Sequence, residues 1–223
     1  MVKKNSLFSA AELNSAVESA TQFEMHTFKV LLAVFAIASV AIAAFSPMVC
    51  FFDRTVSILK DLFGYASVFC FVILTIGYRN TRRLHLLLTL VLAFSFGALS
   101  CLLVGKVILI FTLPTVVLCT AIILIRQIKH ETYATRDGVW ILCVLAPITF
   151  AAVYLTVSLF TACVATFHLI AFFSVIAFSF KTAISKQPEY GWELISKLTP
   201  ILLIIAHLLL ANIVLISGFA VVG

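Results

Sequence analysis

LHLLLTLVLAFSFGALSCLLVGKVILIFTLPTVVLCTAIILI, residues 84–125, decides the fold class of this chain, because Lys106 is its only charged residue. A straight helix of these roughly 42 residues would extend about 60 Å, whereas the hydrocarbon core of a bilayer is about 30 Å thick. A second stretch of similar length, Val139–Phe180, has no charged residue. Each stretch is therefore expected to fold back as a hairpin of two membrane-spanning helices.

The composition of the whole chain agrees with a membrane location. Of its 223 residues 63% are hydrophobic and 11% charged, and the mean hydropathy is +1.21. Strands of a transmembrane barrel alternate polar and apolar residues over about ten positions. Val107–Ile125 has no such alternation. The sequence predicts an all-α, polytopic membrane helix bundle.

The chain divides into a polar leader and one transmembrane domain. Residues 1–27 are predicted to form an amphipathic cytoplasmic leader, in which Ser9 and Glu12 have capping-box spacing. Residues 28–223 form the transmembrane domain, with about seven spans. We expect these spans at about 28–52, 56–78, 84–104, 107–125, 139–160, 164–180 and 198–222.

The basic residues orient these spans. If the amino terminus is cytoplasmic, twelve of the fifteen Lys and Arg residues lie inside, and the outside segments hold only Arg54, Lys60 and Lys106. The twelve are Lys3, Lys4, Lys29, Arg79, Arg82, Arg83, Arg126, Lys129, Arg136, Lys181, Lys186 and Lys197. Cytoplasmic loops carry an excess of Lys and Arg. The pattern predicts a cytoplasmic amino terminus and an outside carboxyl terminus.

Several classes of intramembrane chemistry lack the residues they need. The centres of the predicted spans contain no Asp, Glu, Lys or Arg, which argues against a buried carboxylate relay. A retinal pigment needs a lysine within its last helix, whereas Lys197 precedes the last predicted span. The sequence has no GxSxG motif, and its six cysteines include no CxxC pair. No catalytic residue, metal ligand or bound cofactor is therefore assigned.

Two histidines within spans are the candidate cofactor-binding residues. His168 falls in the sixth predicted span and His207 in the seventh. Two neutral imidazoles can ligate a haem iron axially. The predicted boundaries, however, separate the two residues in depth by roughly 10 Å at the rise of an α-helix, a distance that an error in those boundaries can halve, so the sequence leaves open whether the two residues meet. A hydrogen bond from each histidine to a neighbouring hydroxyl or carbonyl is the simpler expectation.

Other residues are candidates for a transport path or a lipid contact. Pro114 and Pro147 lie inside predicted spans, where each is expected to kink its helix and free a carbonyl. Arg79, Arg82 and Arg83 form a basic cytoplasmic loop that can contact anionic lipid headgroups.

Small residues at helical spacing predict two packing faces within the bundle. Ala93, Gly97 and Cys101 recur at four-residue steps in the third span. The first span has Ala36, Ser39, Ala43 and Ser46 at steps of three or four. Small residues let membrane helices approach closely.

Three functions remain open. The first is a membrane subunit, assembly factor or regulator that acts through helix packing, with another membrane protein or a second copy of this chain as partner. The second is a small-solute or ion transporter or channel. The third is an intramembrane redox protein with a haem between His168 and His207. The expected surroundings are a lipid bilayer, with no nucleic acid, and the short loops without Asn-x-Ser/Thr sequons fit a bacterial inner (plasma) membrane.

Overall fold

The described part of the chain is almost entirely helical. The computed structural model describes residues 10–50, 53–76, 82–129, 134–186 and 189–222, and these ranges contain no β-strand. The α-helices are α1 (Ala10–Phe45), α2 (Asp53–Ile76), α3 (Arg82–Val104), α4 (Leu109–Lys129), α5 (Ala134–Thr156), α6 (Leu159–Lys186) and α7 (Glu189–Val222). Two short 3-10 helices, Ser46–Cys50 and Gly105–Ile108, follow α1 and α3.

The helices are apolar enough to form a membrane bundle. Within the described ranges, six helical stretches have the length and composition to cross a membrane. They are Glu24–Met48, Thr55–Ile76, Arg83–Ile128, Gly138–Thr156, Leu159–Phe178 and Thr199–Ser217. The third stretch, with 46 residues, contains both α3 and α4.

Contacts between α1 and α3 show that these two helices run in the same direction. Gly97 on α3 lies against the backbone of Ala38 on α1. One turn further along both helices, the Cys101 thiol donates a hydrogen bond to the Ile42 carbonyl over 3.2 Å. Residue numbers therefore increase together along this interface.

Helix α4 runs in the opposite direction along α1. Ser39 is hydrogen-bonded with Thr112 over 3.0 Å, whereas Glu24, near the other end of α1, pairs with Arg126 over 2.9 Å. Helices α3 and α4 are therefore antiparallel, and the chain reverses between them at Gly105. The φ of Gly105 is +76°, a backbone conformation that glycine adopts without steric cost.

The interior lies among α1, α3, α4, α6 and α7. Its largest fully buried side chains include Phe28 and Phe35 on α1 and Leu118 and Ile122 on α4. On α7, Ile204 is fully buried as well. Helices α2 and α5 are peripheral, since only 17% and 22% of their apolar windows are buried. Their outward faces carry large apolar residues.

The turn between α5 and α6 differs from its expected position. The sequence predicts this turn near 161–163, but α5 ends at Thr156 and α6 begins at Leu159. The Ser158 hydroxyl accepts a hydrogen bond from the Thr161 backbone N–H over 3.2 Å and is also bonded with the Thr161 hydroxyl. An N-cap serine satisfies a free N–H at a helix start. This cap starts α6 five residues earlier than predicted.

One of the two predicted small-residue faces is used as expected. Ala93, Gly97 and Cys101 are all buried, and α3 packs with this face on α1. On α1 the predicted face is wrong, because Ala43 is exposed and Ala38 receives Gly97 instead. The larger residues Leu31, Val34 and Ile42 share the buried stripe with Ala38. Burial of these bulky apolar side chains sets the rotation of α1.

Candidate functional site

The structure brings His168 and His207 together in the bundle interior. His168 Nε2 lies 2.5 Å from His207 Nδ1, and the two residues are only 6% and 2% exposed. The predicted difference in depth does not occur. Because α6 begins at Leu159, His168 lies nine residues into its helix, about 14 Å along the axis. This places His168 at the height of His207 on the antiparallel α7.

The hydrogen bonds of the pair assign the proton positions in its neutral form. His207 Nε2 lies 2.8 Å from the Phe111 carbonyl oxygen of α4. A carbonyl only accepts, so His207 Nε2 carries a hydrogen and, in a neutral ring, Nδ1 is an acceptor. His168 Nε2–H must therefore donate to His207 Nδ1. The result is a series of two hydrogen bonds with the same donor-to-acceptor direction, from α6 through α7 to α4.

Pro114 lies in α4 less than one turn after Phe111, whose carbonyl bonds His207. Proline has no N–H for the carbonyl four residues earlier, that of Ile110, and its ring crowds that carbonyl. The Phe111 carbonyl accepts from the Thr115 hydroxyl over 3.2 Å as well as from His207.

Three phenylalanine rings enclose the histidines. The Phe35 and Phe172 rings lie edge-to-face with His207, with centroids 4.8 and 5.6 Å away, and Phe111 lies 5.7 Å from His168. All three phenylalanines are buried. The rings give the imidazoles an apolar surrounding.

Two further sets of polar contacts lie in the interior. Ser39 is hydrogen-bonded with both Thr112 of α4 and the Phe35 carbonyl of its own helix. Asn212 Nδ2 donates to the Ser100 hydroxyl of α3 over 2.9 Å. Buried polar side chains normally find partners, because an unmet group costs free energy in an apolar interior. These bonds join α1 to α4 and α3 to α7.

A buried ion pair lies at one end of the bundle. Arg126 Nη1 donates to Glu24 Oε2 over 2.9 Å, and both side chains are less than a tenth exposed. The sequence pattern predicts both residues on the cytoplasmic side but does not pair them. No sequence signal joins two residues 102 positions apart in a single sequence.

The pair geometry bears on haem ligation. Metal–nitrogen bonds to histidine are about 2 Å long, so an iron between two imidazole nitrogens would hold them about 4 Å apart. His168 Nε2 and His207 Nδ1 are 2.5 Å apart, and His207 Nε2 is bound to a carbonyl. Haem ligation stays a prediction that this packing does not favour. Among the described residues, no group of three or more His, Cys, Asp or Glu could hold a metal ion.

The remaining candidate residues lie apart from the pair. Pro147 is exposed on α5, whereas Pro114 is half-buried in the turn that bonds His207. Arg83 is exposed at the start of α3. Arg79 lies outside the described residues, and Arg82 is described only as the first residue of α3.

Comparison of the chain with protein-family models, with curated proteins and with solved structures gives no match. The inference of function therefore rests on the residues and contacts described above.

Proposed function

We propose that this chain crosses the membrane seven times, with the amino terminus cytoplasmic and the carboxyl terminus outside. The 46-residue stretch Arg83–Ile128 supports two crossings, since it would extend about 69 Å as one helix. The opposite directions of α3 and α4 along α1 support the same count. The excess of basic residues on one side supports the orientation.

The topology is tested by reporters fused after Gly223 and within the loop around Arg79. We expect a periplasmic alkaline phosphatase reporter to be active at Gly223 and inactive at Arg79. Activity of a cytoplasmic reporter at Gly223 would contradict the odd number of spans. The same pair of fusions tests location in a bacterial inner membrane, which we propose from the short loops and the absence of sequons.

Within this topology, we propose that the protein is a membrane subunit, assembly factor or regulator that acts through helix packing. The carrying observation is that three pairs of buried polar side chains bond across helices: His168 with His207, Ser39 with Thr112, and Asn212 with Ser100. Such bonds hold helices in a fixed arrangement within lipid. These polar side chains therefore stabilise the arrangement of the helices.

The outward faces of the peripheral helices are the surfaces available to a membrane partner. On α2, Tyr65 is 77% exposed and Phe69 66%; on α5, Trp140 is 69% exposed. These aromatic residues can pack against lipid chains or against the helices of another membrane protein. A second copy of this chain is a further possible partner.

Photocrosslinking tests the packing function directly. A photoreactive amino acid replaces Phe69 on the outward face of α2, and the matched control replaces Leu74, which is only 1% exposed on the same helix. After irradiation in native membranes, we expect an intermolecular protein adduct from position 69 and none from position 74. Adducts with lipid alone from positions 65, 69 and 140 would reject a partner-binding subunit.

A small-solute or ion transporter is the second candidate, and the half-buried Pro114 beside the histidine pair favours it. Proline inside a helix favours a kink, and a kinked helix beside buried polar groups can line a transport path. Flux in proteoliposomes that is lost in Pro114→Ala and kept in Pro147→Ala would establish this function over packing. The haem alternative predicts a Soret absorption band that disappears in His207→Phe.

A further inference from the structure

The directed hydrogen-bond chain leaves one histidine nitrogen unused. In the neutral pair, both Nε2 atoms donate, and His207 Nδ1 accepts from His168. Among the described residues, no hydrogen bond engages His168 Nδ1. This nitrogen keeps a lone pair that can take up a proton without breaking any bond of the pair.

We propose that His168 and His207 form a binding site for a single proton at the centre of the bundle. The proton adds to His168 Nδ1 and makes that ring an imidazolium. The Nε2 proton of His168 can then pass to His207 Nδ1, which moves the positive charge to His207 and leaves His168 neutral. His207 Nε2–H stays bonded to Phe111 in both forms.

The same geometry limits the site to one proton. If both rings were imidazolium, the N–H of His168 Nε2 and that of His207 Nδ1 would point at each other across 2.5 Å. Neither nitrogen would have a lone pair to accept, and two positive charges would face each other in an apolar interior. The pair therefore takes up one proton and rejects the second.

The surrounding side chains tolerate one positive charge. Phe35, Phe172 and Phe111 have ring centroids within 6 Å of one of the imidazoles, which is within the distance range of contacts between cations and aromatic rings. A charged donor also strengthens the bond to the Phe111 carbonyl, because charge-assisted hydrogen bonds are stronger than neutral ones. These contacts offset part of the cost of a buried charge.

The charged residues of the packed helices lie well away from the pair. On α1, Glu24 is eleven residues from Phe35, about 16 Å along the axis. The other charged or titratable groups of α1, α3, α4, α5, α6 and α7 with described side chains are His26, Lys29, Arg83, His85, Cys101, Cys119, Arg126, Cys143, Tyr154, Cys163 and Lys197. Lys29 and Cys163 are exposed, and Arg126 is paired with Glu24. The added charge therefore acts mainly on the pair, Phe111 and the enclosing rings.

Proton binding at this position couples α4, α6 and α7, since His168, His207 and the Phe111 carbonyl each belong to a different helix. The inference goes beyond the packing function and does not depend on which partner the protein has. A bundle with this site changes the strength of its α4–α7 contact when the proton binds.

The test is nuclear magnetic resonance of the full chain, labelled with ¹⁵N-histidine, in lipid nanodiscs from about pH 8 to about pH 4, the range around histidine titration. At the high end we expect both rings as neutral Nε2–H tautomers. On acidification we expect both to shift together with one midpoint and to take up one proton in total. Near-ultraviolet circular dichroism shows that the bundle stays folded.

Two variants separate the shared site from ordinary histidine titration. His168→Gln keeps a side-chain N–H donor but removes Nδ1, so we expect the proton uptake to be lost and His207 to stay neutral. The matched control His85→Gln removes another buried histidine, and we expect the shared titration to persist. Separate midpoints with two protons bound, or unfolding before any uptake by the pair, would overturn the proposal.

Discussion

Gly97 lies against Ala38 so closely that a Cβ at position 97 would be 2.7 Å from the Ala38 carbonyl oxygen and 2.9 Å from its Cα. Both obstructing atoms belong to the backbone of α1, so a side-chain rotation cannot remove them. The contact sets the distance between α1 and α3. Those two helices carry Ser39 and Ser100, whose partners lie on α4 and α7.

Replacing Gly97 with alanine should therefore destabilise the bundle. We expect Gly97→Ala to lower the free energy of unfolding by about 1–3 kcal/mol, the usual cost of overpacking. Titration with SDS in mixed micelles measures the change. Gly64→Ala on α2 is the control, because a Cβ there meets nothing within 4 Å and alanine favours a helix. Equal stability of the two variants would contradict the close approach.

Breaking the Glu24–Arg126 ion pair should be costly because both groups are buried. We expect Glu24→Gln to destabilise the bundle by about 3 kcal/mol, since it leaves the arginine charge without its buried counter-charge. The measurement is again the free energy of unfolding in micelles. The effect should exceed that of Asp61→Asn, a change at an exposed carboxylate of α2.

A double-mutant cycle separates the ion pair from other roles of Glu24. Glu24→Gln leaves the Arg126 charge buried without a partner, and Arg126→Met removes that charge. The double variant should therefore lose less unfolding free energy than the two single variants lose in sum. Strict additivity would show that the two side chains do not interact in solution.

Removing Pro114 should weaken the bond between His207 and Phe111. Pro114→Ala restores an N–H for the Ile110 carbonyl and removes the ring that crowds the turn next to the Phe111 carbonyl. We expect the resonance of the His207 Nε2–H proton to move upfield, as the hydrogen bond lengthens. Pro147→Ala, at an exposed position of α5, should leave this resonance unchanged. If the resonance had the same position in both proline variants, Pro114 would have no influence on the hydrogen bond between His207 and Phe111.

Loss of the Ser158 hydroxyl should loosen the start of α6. We expect Ser158→Ala to cost about 1 kcal/mol, as is typical for removal of an N-cap. Hydrogen exchange at the Thr161 amide should become faster, because this N–H donates to Ser158. Ser174→Ala is the control, since that hydroxyl is exposed and bonds only within its own helix. Unchanged exchange at Thr161 would contradict the cap.

The fold class follows from sequence because it depends on apolar length and local backbone bonding. The stretch at 84–125 is too long for one crossing, and its reversal at Gly105 fits the glycine's conformational freedom. The packing face at Ala93, Gly97 and Cys101 was also predictable, because small residues at four-residue steps share one side of a helix.

The candidate site was predictable only as a set of residues. His168 and His207 stand out in the sequence as histidines inside apolar stretches. Their predicted separation in depth is wrong because hydropathy averages over many residues and does not register the cap at Ser158. A shift of five residues at the start of α6 moves His168 by about 8 Å along the helix axis, which removes most of the predicted offset.

By itself, the sequence determined that this chain is a bundle of apolar helices, since length and hydropathy act locally along the chain. Only the tertiary structure decided which polar groups meet. Glu24 and Arg126 are separated by 102 positions, and His207 and Phe111 by 96. Contacts between residues so far apart in sequence depend on the rotation and register of each helix. The packing of all neighbouring helices together sets that rotation and register.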